Sequence, residues 1–242
     1  MLKISILFVF RRIVQHANYV LFKRSSIVRL ANVFFLGNSL FSPLVHHLDL
    51  LNVIESLREC SQILTCERRS STYLSIPHLK TFLTSIYINL NKRLPVPQQI
   101  LHIDHCVHSA IAWLLYVYKT PTNSISFTSF RVVLILLCTG KLIEKMRHLF
   151  TTCFSMGSTQ TLTYGQIDEL LHEILALPYA LQEISRTTWE KKYARLVFSH
   201  LPSPITWNDF LSNLISNHSK PNCLQWLIVF HRLISVENGK FP

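Results

Sequence analysis

A short pattern that occurs three times constrains the fold of this chain more than any other feature. In Ser124–Phe127, Thr161–Tyr164 and Pro204–Trp207, an aliphatic residue is followed by a hydroxyl residue and then an aromatic one. Another apolar residue follows three positions later in each copy, as at the start of a helix with one buried face. The copies are separated by roughly 40 residues, a spacing typical of a repeated supersecondary unit. The sequence therefore predicts helix–loop–helix units whose loops meet through a short β contact.

The helices around these copies follow from the spacing of apolar residues. That spacing predicts a helix over Ile103–Tyr118, and Ser75 and Pro77 provide the cap and the first-turn proline of an earlier helix. Two prolines, at positions 95 and 97, predict a stiff linker between these helices. Leu48, Leu51, Ile54 and Leu57 are expected to form the apolar face of the first helix. Further helices are predicted over 127–138, 142–150, 165–177, 189–197, 207–215 and 224–234.

These elements predict an all-α fold of two packed, degenerate EF-hand-like helical halves, with very short β contacts between loops. The first half is expected at residues 46–150 and the second at 151–242, after a poorly placed N-terminal segment at 1–45. The apolar run Ile4–Phe10 is too short to span a bilayer, so no transmembrane helix is predicted. A signal peptide at Met1–Phe10 would lack a convincing small-residue cleavage site.

The loops of these units lack the chemistry of a calcium site. If the aliphatic residue of each contact is loop position 8, calcium ligands would come from positions 1, 3, 5, 9 and 12, with glycine at position 6. The three loops offer Tyr118, Thr120, Thr122, Ser126 and Ser129; Ser155, Gly157, Thr159, Thr163 and Gln166; and Phe198, His200, Pro202, Thr206 and Asp209. A single carboxylate cannot replace the water of a doubly charged cation. The sequence therefore predicts loops that bind no calcium.

Three histidines near the start of the central helix raise the question of zinc. The three are His102, His105 and His108, and Cys106 lies between the last two. At helical spacing the histidines point away from the apolar face, whereas zinc needs about four converging ligands. We therefore expect an exposed polar helix face and no metal site.

Signals of catalysis are also absent from the sequence. The chain has five glycines and contains no GxGxxG, P-loop or GxSxG motif. Asp168 and Glu169 are adjacent on a predicted helix, so their side chains diverge and are expected near its solvent side. The pair His172-Glu173 does not form an HExxH motif. The sequence predicts no catalytic, cofactor-binding or metal-binding residues.

The charge of the chain leaves its partners open. The formal net charge is +11, but the basic residues occur in small groups such as Lys92-Arg93 and Lys191-Lys192. Such groups favour a solvated basic surface over a nucleic-acid-binding arm, and an acidic protein or an anionic membrane stays possible. The six cysteines have no CxxC spacing and are predicted to be reduced, buried thiols of an intracellular protein.

Several stretches resemble a known family. Asp49–Glu59 is similar to the first helix of the dystrobrevin EF-hand region, and Leu90–Pro95 to the end of its next helix. Cys223–Leu227, His231–Leu233 and Val236–Asn238 resemble the close of its second EF-hand-like half. The matches run in order over residues 47–240. They make the chain similar to the dystrophin–dystrobrevin family, with the stronger resemblance to dystrobrevin.

The resemblance implies a non-catalytic cytoplasmic scaffold, peripheral at the plasma membrane and the cytoskeleton, whose partners are dystrophin-complex and cytoskeletal proteins. Its EF-hand-like halves would be structural and would need no cofactor. The family continues into a zinc finger and coiled coils; no CxxC precedes Pro242, so those partner sites are not carried over. Two alternatives remain, a calcium sensor and a basic protein that binds anionic membranes. Neither nucleic acid nor a small-molecule substrate is expected.

Overall fold

The computed structural model describes residues 48–66, 73–118, 124–154, 161–180, 183–215, 226–228 and 230–231. The predicted N-terminal segment at 1–45 lies outside these residues, as does most of the predicted last helix. Within the described ranges no helix is both long and apolar enough to cross a bilayer.

The described part of the chain consists of helices, loops and four two-residue strands. A 3₁₀ turn spans Val96–Gln98, and a π-helical segment spans Leu149–Phe154. The helices are α1 (Leu50–Cys66), α2 (Ile76–Asn91), α3 (Ile103–Tyr118), α4 (Phe127–Leu137), α5 (Leu142–His148), α6 (Tyr164–Ala180), α7 (Arg186–Trp189), α8 (Ala194–Val197) and α9 (Trp207–Ile215). The strands are β1 (Tyr73–Leu74), β2 (Ile125–Ser126), β3 (Thr161–Leu162) and β4 (Ile205–Thr206).

The strands form two separate antiparallel pairs, one in each half. β1 pairs with β2 so that Leu74 faces Ile125, and β3 pairs with β4 so that Leu162 faces Ile205. The predicted all-α, EF-hand-like fold with very short β contacts between loops is confirmed. β1 adds a fourth copy of the recurring pattern that the sequence did not reveal, because an isoleucine stands where the other copies have an aromatic residue.

The two halves share one hydrophobic core. α6 of the second half packs against α3 and α4 of the first, and the buried side chains of both halves form a single cluster. The link between α4 and α5 is held by the N–H of Thr139, which donates to the carbonyl of Leu48 at 2.8 Å. Gly140 follows with a φ of +123°, a conformation that residues with a Cβ rarely adopt. The predicted boundary between residues 150 and 151 falls inside the π-helical segment and stays a prediction.

Local expectations need three corrections. Leu51, assigned to the apolar face of α1, is 65% exposed, and Val53 is fully buried with Leu57 instead. α6 was expected to end at Pro178, but it continues to Ala180 because the proline removes one hydrogen bond without stopping the last turn. The single helix expected over 189–197 is two short helices, α7 and α8.

Candidate functional site

The four loops that carry the β contacts are the chemically distinctive part of the structure. The aliphatic residue at the centre of each contact is buried, with an exposure of at most 1% for Leu74, Ile125, Leu162 and Ile205. Each lies in an antiparallel pair with the matching residue of the neighbouring loop. This geometry fixes position 8 in all four loops and therefore identifies the residues at positions 9 and 12.

In the second half, positions 9 and 12 bond to each other. The side-chain oxygen of Gln166 accepts from the N–H of Thr163 at 2.9 Å and from its hydroxyl at 3.0 Å. Asp209 does the same with Thr206, at 3.1 Å from the N–H and 2.7 Å from the hydroxyl. These are capping boxes at the starts of α6 and α9. The Thr206 hydroxyl holds the pKa of the Asp209 carboxyl below its usual value, with help from the Thr206 N–H.

The first half uses the same two positions differently. The Ser126 hydroxyl oxygen accepts from the N–H of Ser129 at 2.9 Å and lies 2.7 Å from the Ser129 hydroxyl oxygen. In the loop before α2, the Ser75 hydroxyl lies 3.2 Å from Nδ1 of His78. In every loop the side chain at position 12 is thus hydrogen-bonded to the hydroxyl at position 9. Position 12 is where a calcium-loaded hand presents its bidentate glutamate.

A tyrosine closes the loop ahead of β4. The hydroxyl of Tyr164, the first residue of α6, donates to the carbonyl of Phe198 at 3.2 Å and to that of Leu201 at 2.5 Å. Phe198 stands at position 1 of this loop, and its ring is fully buried, stacked 5.9 Å from the ring of Phe210. An aromatic core residue therefore occupies the place of the first calcium ligand, and its carbonyl is bonded to a side chain of the neighbouring hand.

A polar cluster connects the two halves. The Ser129 side chain of α4 hydrogen-bonds to the carboxyl group of Glu173 in α6. The hydroxyl of Tyr118, at the end of α3, donates to the Ser129 carbonyl at 3.4 Å. Burial is the main reason why the pKa of Glu173 is raised, and the charge of Glu169 adds to it. Burial also raises the pKa of Tyr118, followed by the charge of Glu173. The cluster places an acidic group of the second half against a loop-end serine of the first.

A buried lysine caps the end of α4. Lys145 of α5 is 1% exposed, and its ammonium donates to the carbonyl of Leu136 at 3.3 Å and to that of Cys138. A cation at a helix C-terminus is favoured by the helix dipole. Burial lowers the pKa of Lys145, whereas burial raises the pKa of the Cys138 thiol to about 12. Cys106 and Cys138 are both buried free thiols.

The acidic and histidine residues of α6 have structural partners. Asp168, expected near the solvent side, is half-buried and accepts the N–H of Ala194 at 2.8 Å, which caps α8. Glu169 is exposed, as predicted. The ring centroid of Trp189 lies 4.2 Å from that of His172. The Trp189 ring also stacks on the ring of Tyr179, with a centroid distance of 4.4 Å. These contacts attach α7 and α8 to α6.

The structure does not gather the α3 histidines into a site. The rings of His102 and His105 lie 6.0 Å apart, edge to face, and Nδ1 of His108 hydrogen-bonds to the Asp104 carbonyl at 2.7 Å. Cys106 is buried, whereas the three histidines are exposed. Among the described residues, no three His, Cys, Asp or Glu side chains cluster closely enough to hold a metal ion.

Sequence reasoning missed three of these residues. Tyr164 was recognised as an aromatic residue of the repeat, but its hydroxyl partners lie over 30 residues away. Lys145 is next to the buried Met146 in the sequence. The only indication that Lys145 is buried was therefore its position at the edge of the apolar face of its helix. Glu173 faces a neighbouring helix that no local pattern identifies.

Comparison with known proteins assigns the two halves. A family model described as EF hand matches residues 35–138, and a second, described as EF-hand, matches 142–234. Dystrobrevin-1 of Caenorhabditis elegans is 30% identical over 199 residues, which cover 82% of this chain and 32% of that protein. Dystrophin isoforms B and D of Drosophila melanogaster are 28% identical over 181 residues, 69% of this chain but 10% and 9% of those proteins. The chain thus spans less than a third of the relatives it matches.

Proposed function

This chain belongs to the dystrophin–dystrobrevin family, and on that premise we propose that it is a non-catalytic, dystrobrevin-like adaptor of the dystrophin-associated complex. Its EF-hand-like halves act as a structural support whose loops bind no calcium. The proposed partners are dystrophin-complex and cytoskeletal proteins, and the proposed location is the cytoplasmic side of the plasma membrane.

The observation that carries the calcium-independent role is the bonding of position 12. Gln166 and Asp209 bond to the threonine at position 9 of their own loops, and Ser129 bonds to Ser126. A calcium-loaded loop needs several carboxylates that converge on the ion, with position 12 bidentate. In this chain the side chain at position 12 is instead hydrogen-bonded at the start of the following helix. The loop is therefore held by its own hydrogen bonds and not by an ion.

The loop ahead of β4 supports the same proposal. The Tyr164 hydroxyl binds two of its carbonyls, at Phe198 and Leu201. Two carbonyls of this loop are thus satisfied by a donor from the paired hand, which holds the loop backbone without an ion. Such a loop keeps its shape at any calcium concentration.

Isothermal titration of the full chain with calcium tests the structural role. We expect no heat of binding at millimolar calcium and the same melting temperature in calcium and in EDTA. Trp207 lies beside β4 and gives a second readout, because an ion in that loop would change its fluorescence. A saturable heat or a calcium-dependent fluorescence change would instead establish a sensor.

Co-precipitation tests the adaptor role. The native protein is captured from its own cells, and the bound proteins are identified by mass spectrometry. Recovery of dystrophin-complex members supports the proposal. Capture of the intact protein without any of them would contradict it, whatever the calcium titration shows.

The peripheral location is proposed from charge as well as family. The chain carries 24 Lys and Arg against 13 Asp and Glu. A net positive surface is attracted to the anionic cytoplasmic leaflet over about one Debye length. Binding at the membrane through protein partners and through lipid would therefore reinforce each other.

A further inference from the structure

The hydroxyl of Ser129 is shared between polar groups that belong to different halves of the fold. Its oxygen lies 2.7 Å from the hydroxyl oxygen of Ser126, the residue that caps α4. The Ser129 side chain also hydrogen-bonds to the carboxyl group of Glu173 in α6. Ser129 is only 7% exposed, so its hydroxyl is directed by these neighbours and not by bulk water. These three side chains are called the Ser129 cluster below.

Backbone contacts hold the Ser129 cluster in place. The Ser126 hydroxyl oxygen accepts the N–H of Ser129 at 2.9 Å. The hydroxyl of Tyr118 donates to the carbonyl of Ser129 at 3.4 Å, and α6 packs against both α3 and α4. The heavy atoms are therefore fixed from several sides, whereas the hydroxyl protons can rotate to suit their partners.

The Ser129 cluster has two hydrogen-bond directions, because each hydroxyl has a single proton to donate. An ionised Glu173 can only accept, so Ser129 donates to it and Ser126 donates to Ser129. A protonated Glu173 that donates to Ser129 turns the Ser129 hydroxyl toward Ser126. The hydroxyl proton of Ser126 is then released from the cluster, while its oxygen still accepts the N–H of Ser129.

We propose that the Ser129 cluster transmits the protonation state of Glu173, in the second half, to the cap of α4 in the first half. Binding of a proton by Glu173 reverses both hydroxyl hydrogen bonds of the cluster, and loss of the proton restores them. No covalent bond changes, and no backbone movement is needed. The two halves are therefore coupled through hydroxyl directions as well as through their shared hydrophobic core.

The charged groups around Glu173 leave this carboxyl as the source of the effect. Glu169, one turn earlier on α6, and Tyr118 of α3 interact electrostatically with Glu173. Tyr118 is a donor whose pKa is raised, so it stays protonated where a carboxyl titrates. The charged residue of α4, Arg131, lies over the ring of Phe127, 5.3 Å from its centroid.

The other elements packed on α6 have their charges elsewhere. Asp104 and the histidines of α3 lie toward its first turns, and Asp104 is about 21 Å along the helix from Tyr118. Arg186 of α7 is paired with Glu190 at 2.6 Å, and Arg195 of α8 is exposed. The π-helical segment and β3 contain no charged residue and no histidine.

Nuclear magnetic resonance titration of the full chain tests the proposal. The carboxyl carbon of Glu173 gives its titration midpoint, and the Cβ signals of Ser126 and Ser129 report on their hydroxyl bonds. We expect both Cβ signals to shift with the midpoint of Glu173, and both shifts to disappear in Glu173→Gln. Ser129→Ala should abolish the shift at Ser126 while Glu173 still titrates, at a higher pH because its carboxylate has lost a donor.

Thr163 is the matched control. It lies at the start of α6, the helix that carries Glu173, but its hydroxyl donates to the neutral side chain of Gln166 at 3.0 Å. Its Cβ signal should not follow the titration of Glu173, although both residues belong to the same half. Glu169→Gln should leave the shift at Ser126 in place, because Glu169 acts on the cluster only through its charge.

Two results would overturn the proposal. One is titration of Glu173 without a matching shift at Ser126, or with a shift that persists in Ser129→Ala. The other is a shift at Ser126 that persists in Glu173→Gln, which would assign it to another titrating group such as His148 of α5. If Ser129→Ala does not fold, the unchanged chain and Glu173→Gln decide alone. The calcium titration and the co-precipitation test the adaptor role separately.

Discussion

The hydroxyl of Tyr164 lies 2.5 Å from the carbonyl oxygen of Leu201, across the contact between the paired loops of the second half. The same hydroxyl lies 3.2 Å from the carbonyl of Phe198, at the start of the loop. One side chain therefore fastens a loop that belongs to the other hand. It does so from the first residue of α6, directly after the capping box at Thr163.

Removing this hydroxyl should destabilise the second half. We expect Tyr164→Phe to lower the free energy of unfolding by about 1–2 kcal/mol, because two partly buried carbonyls lose their donor. Urea denaturation at neutral pH measures the change. Tyr73→Phe is the matched control, since Tyr73 is 62% exposed, and it should leave stability unchanged. Equal stability of the two variants would mean that water replaces the tyrosine hydroxyl at no cost.

The start of α4 depends on the Ser126 cap. Ser126→Ala removes the acceptor of the Ser129 N–H and should cost about 1 kcal/mol of folding free energy. Thermal or urea unfolding gives the value. Thr81→Ala is the control: the Thr81 hydroxyl donates to the Pro77 carbonyl within α2 and caps no helix start. If both variants changed stability alike, the capping arrangement would have no special role.

The buried ammonium of Lys145 should contribute to stability through its hydrogen bonds. Lys145→Met keeps most of the volume but leaves the carbonyls of Leu136 and Cys138 without their donor. We expect a loss of about 1–3 kcal/mol in urea denaturation. Lys141→Met, one turn earlier and exposed, should change stability by less than about 0.5 kcal/mol. A more stable Lys145→Met protein would instead show that the cost of burying the charge exceeds the gain from its bonds.

Glu173 should make stability fall as pH rises. Its pKa is raised in the folded chain, so its contribution is present in full below its unfolded pKa, ordinarily 4.5, and is lost as pH rises through the folded value. Glu173→Gln should therefore be more stable than the unchanged chain at pH 7, and the difference should shrink toward pH 4. Urea denaturation at several pH values measures this difference.

Glu169→Gln provides the control for that experiment. Glu169 lies on the same helix but is exposed, and its charge is a smaller cause of the raised pKa of Glu173 than burial is. Its stability difference should therefore vary little with pH. A flat profile for Glu173→Gln as well would show that the Ser129 contact compensates the burial of the carboxylate.

The sequence predicted those helix bounds and loop contacts that depend on residues close together in the chain. α3 has the predicted bounds, Ile103–Tyr118, because its apolar period is unbroken until a proline-containing turn. α2 begins at Ile76, next to the predicted Ser75 cap and with Pro77 in its first turn. The loop contacts at Ile125, Leu162 and Ile205 were also predictable, since each combines an aliphatic residue with a helix start.

The features that the sequence did not reveal depend on distant partners. α7 and α8 separate partly because the Asp168 carboxylate, from another helix, accepts the N–H that starts α8. Lys145 is buried because two carbonyls at the end of α4 lie within reach of its long side chain. Local periodicity carries no information on such contacts, and the fourth loop contact was missed because Ile76 replaces the aromatic residue of the other copies.

The burial of Phe198 has a consequence for how such a loop could change over generations. An aspartate at this position, the first requirement of a calcium-binding hand, would place a charge among aromatic rings before the other ligands existed to hold an ion. This step toward a calcium-binding loop would therefore weaken the fold without any compensating gain. The buried ring at position 198 thus sets a barrier that a gain of calcium binding in this loop would have to cross.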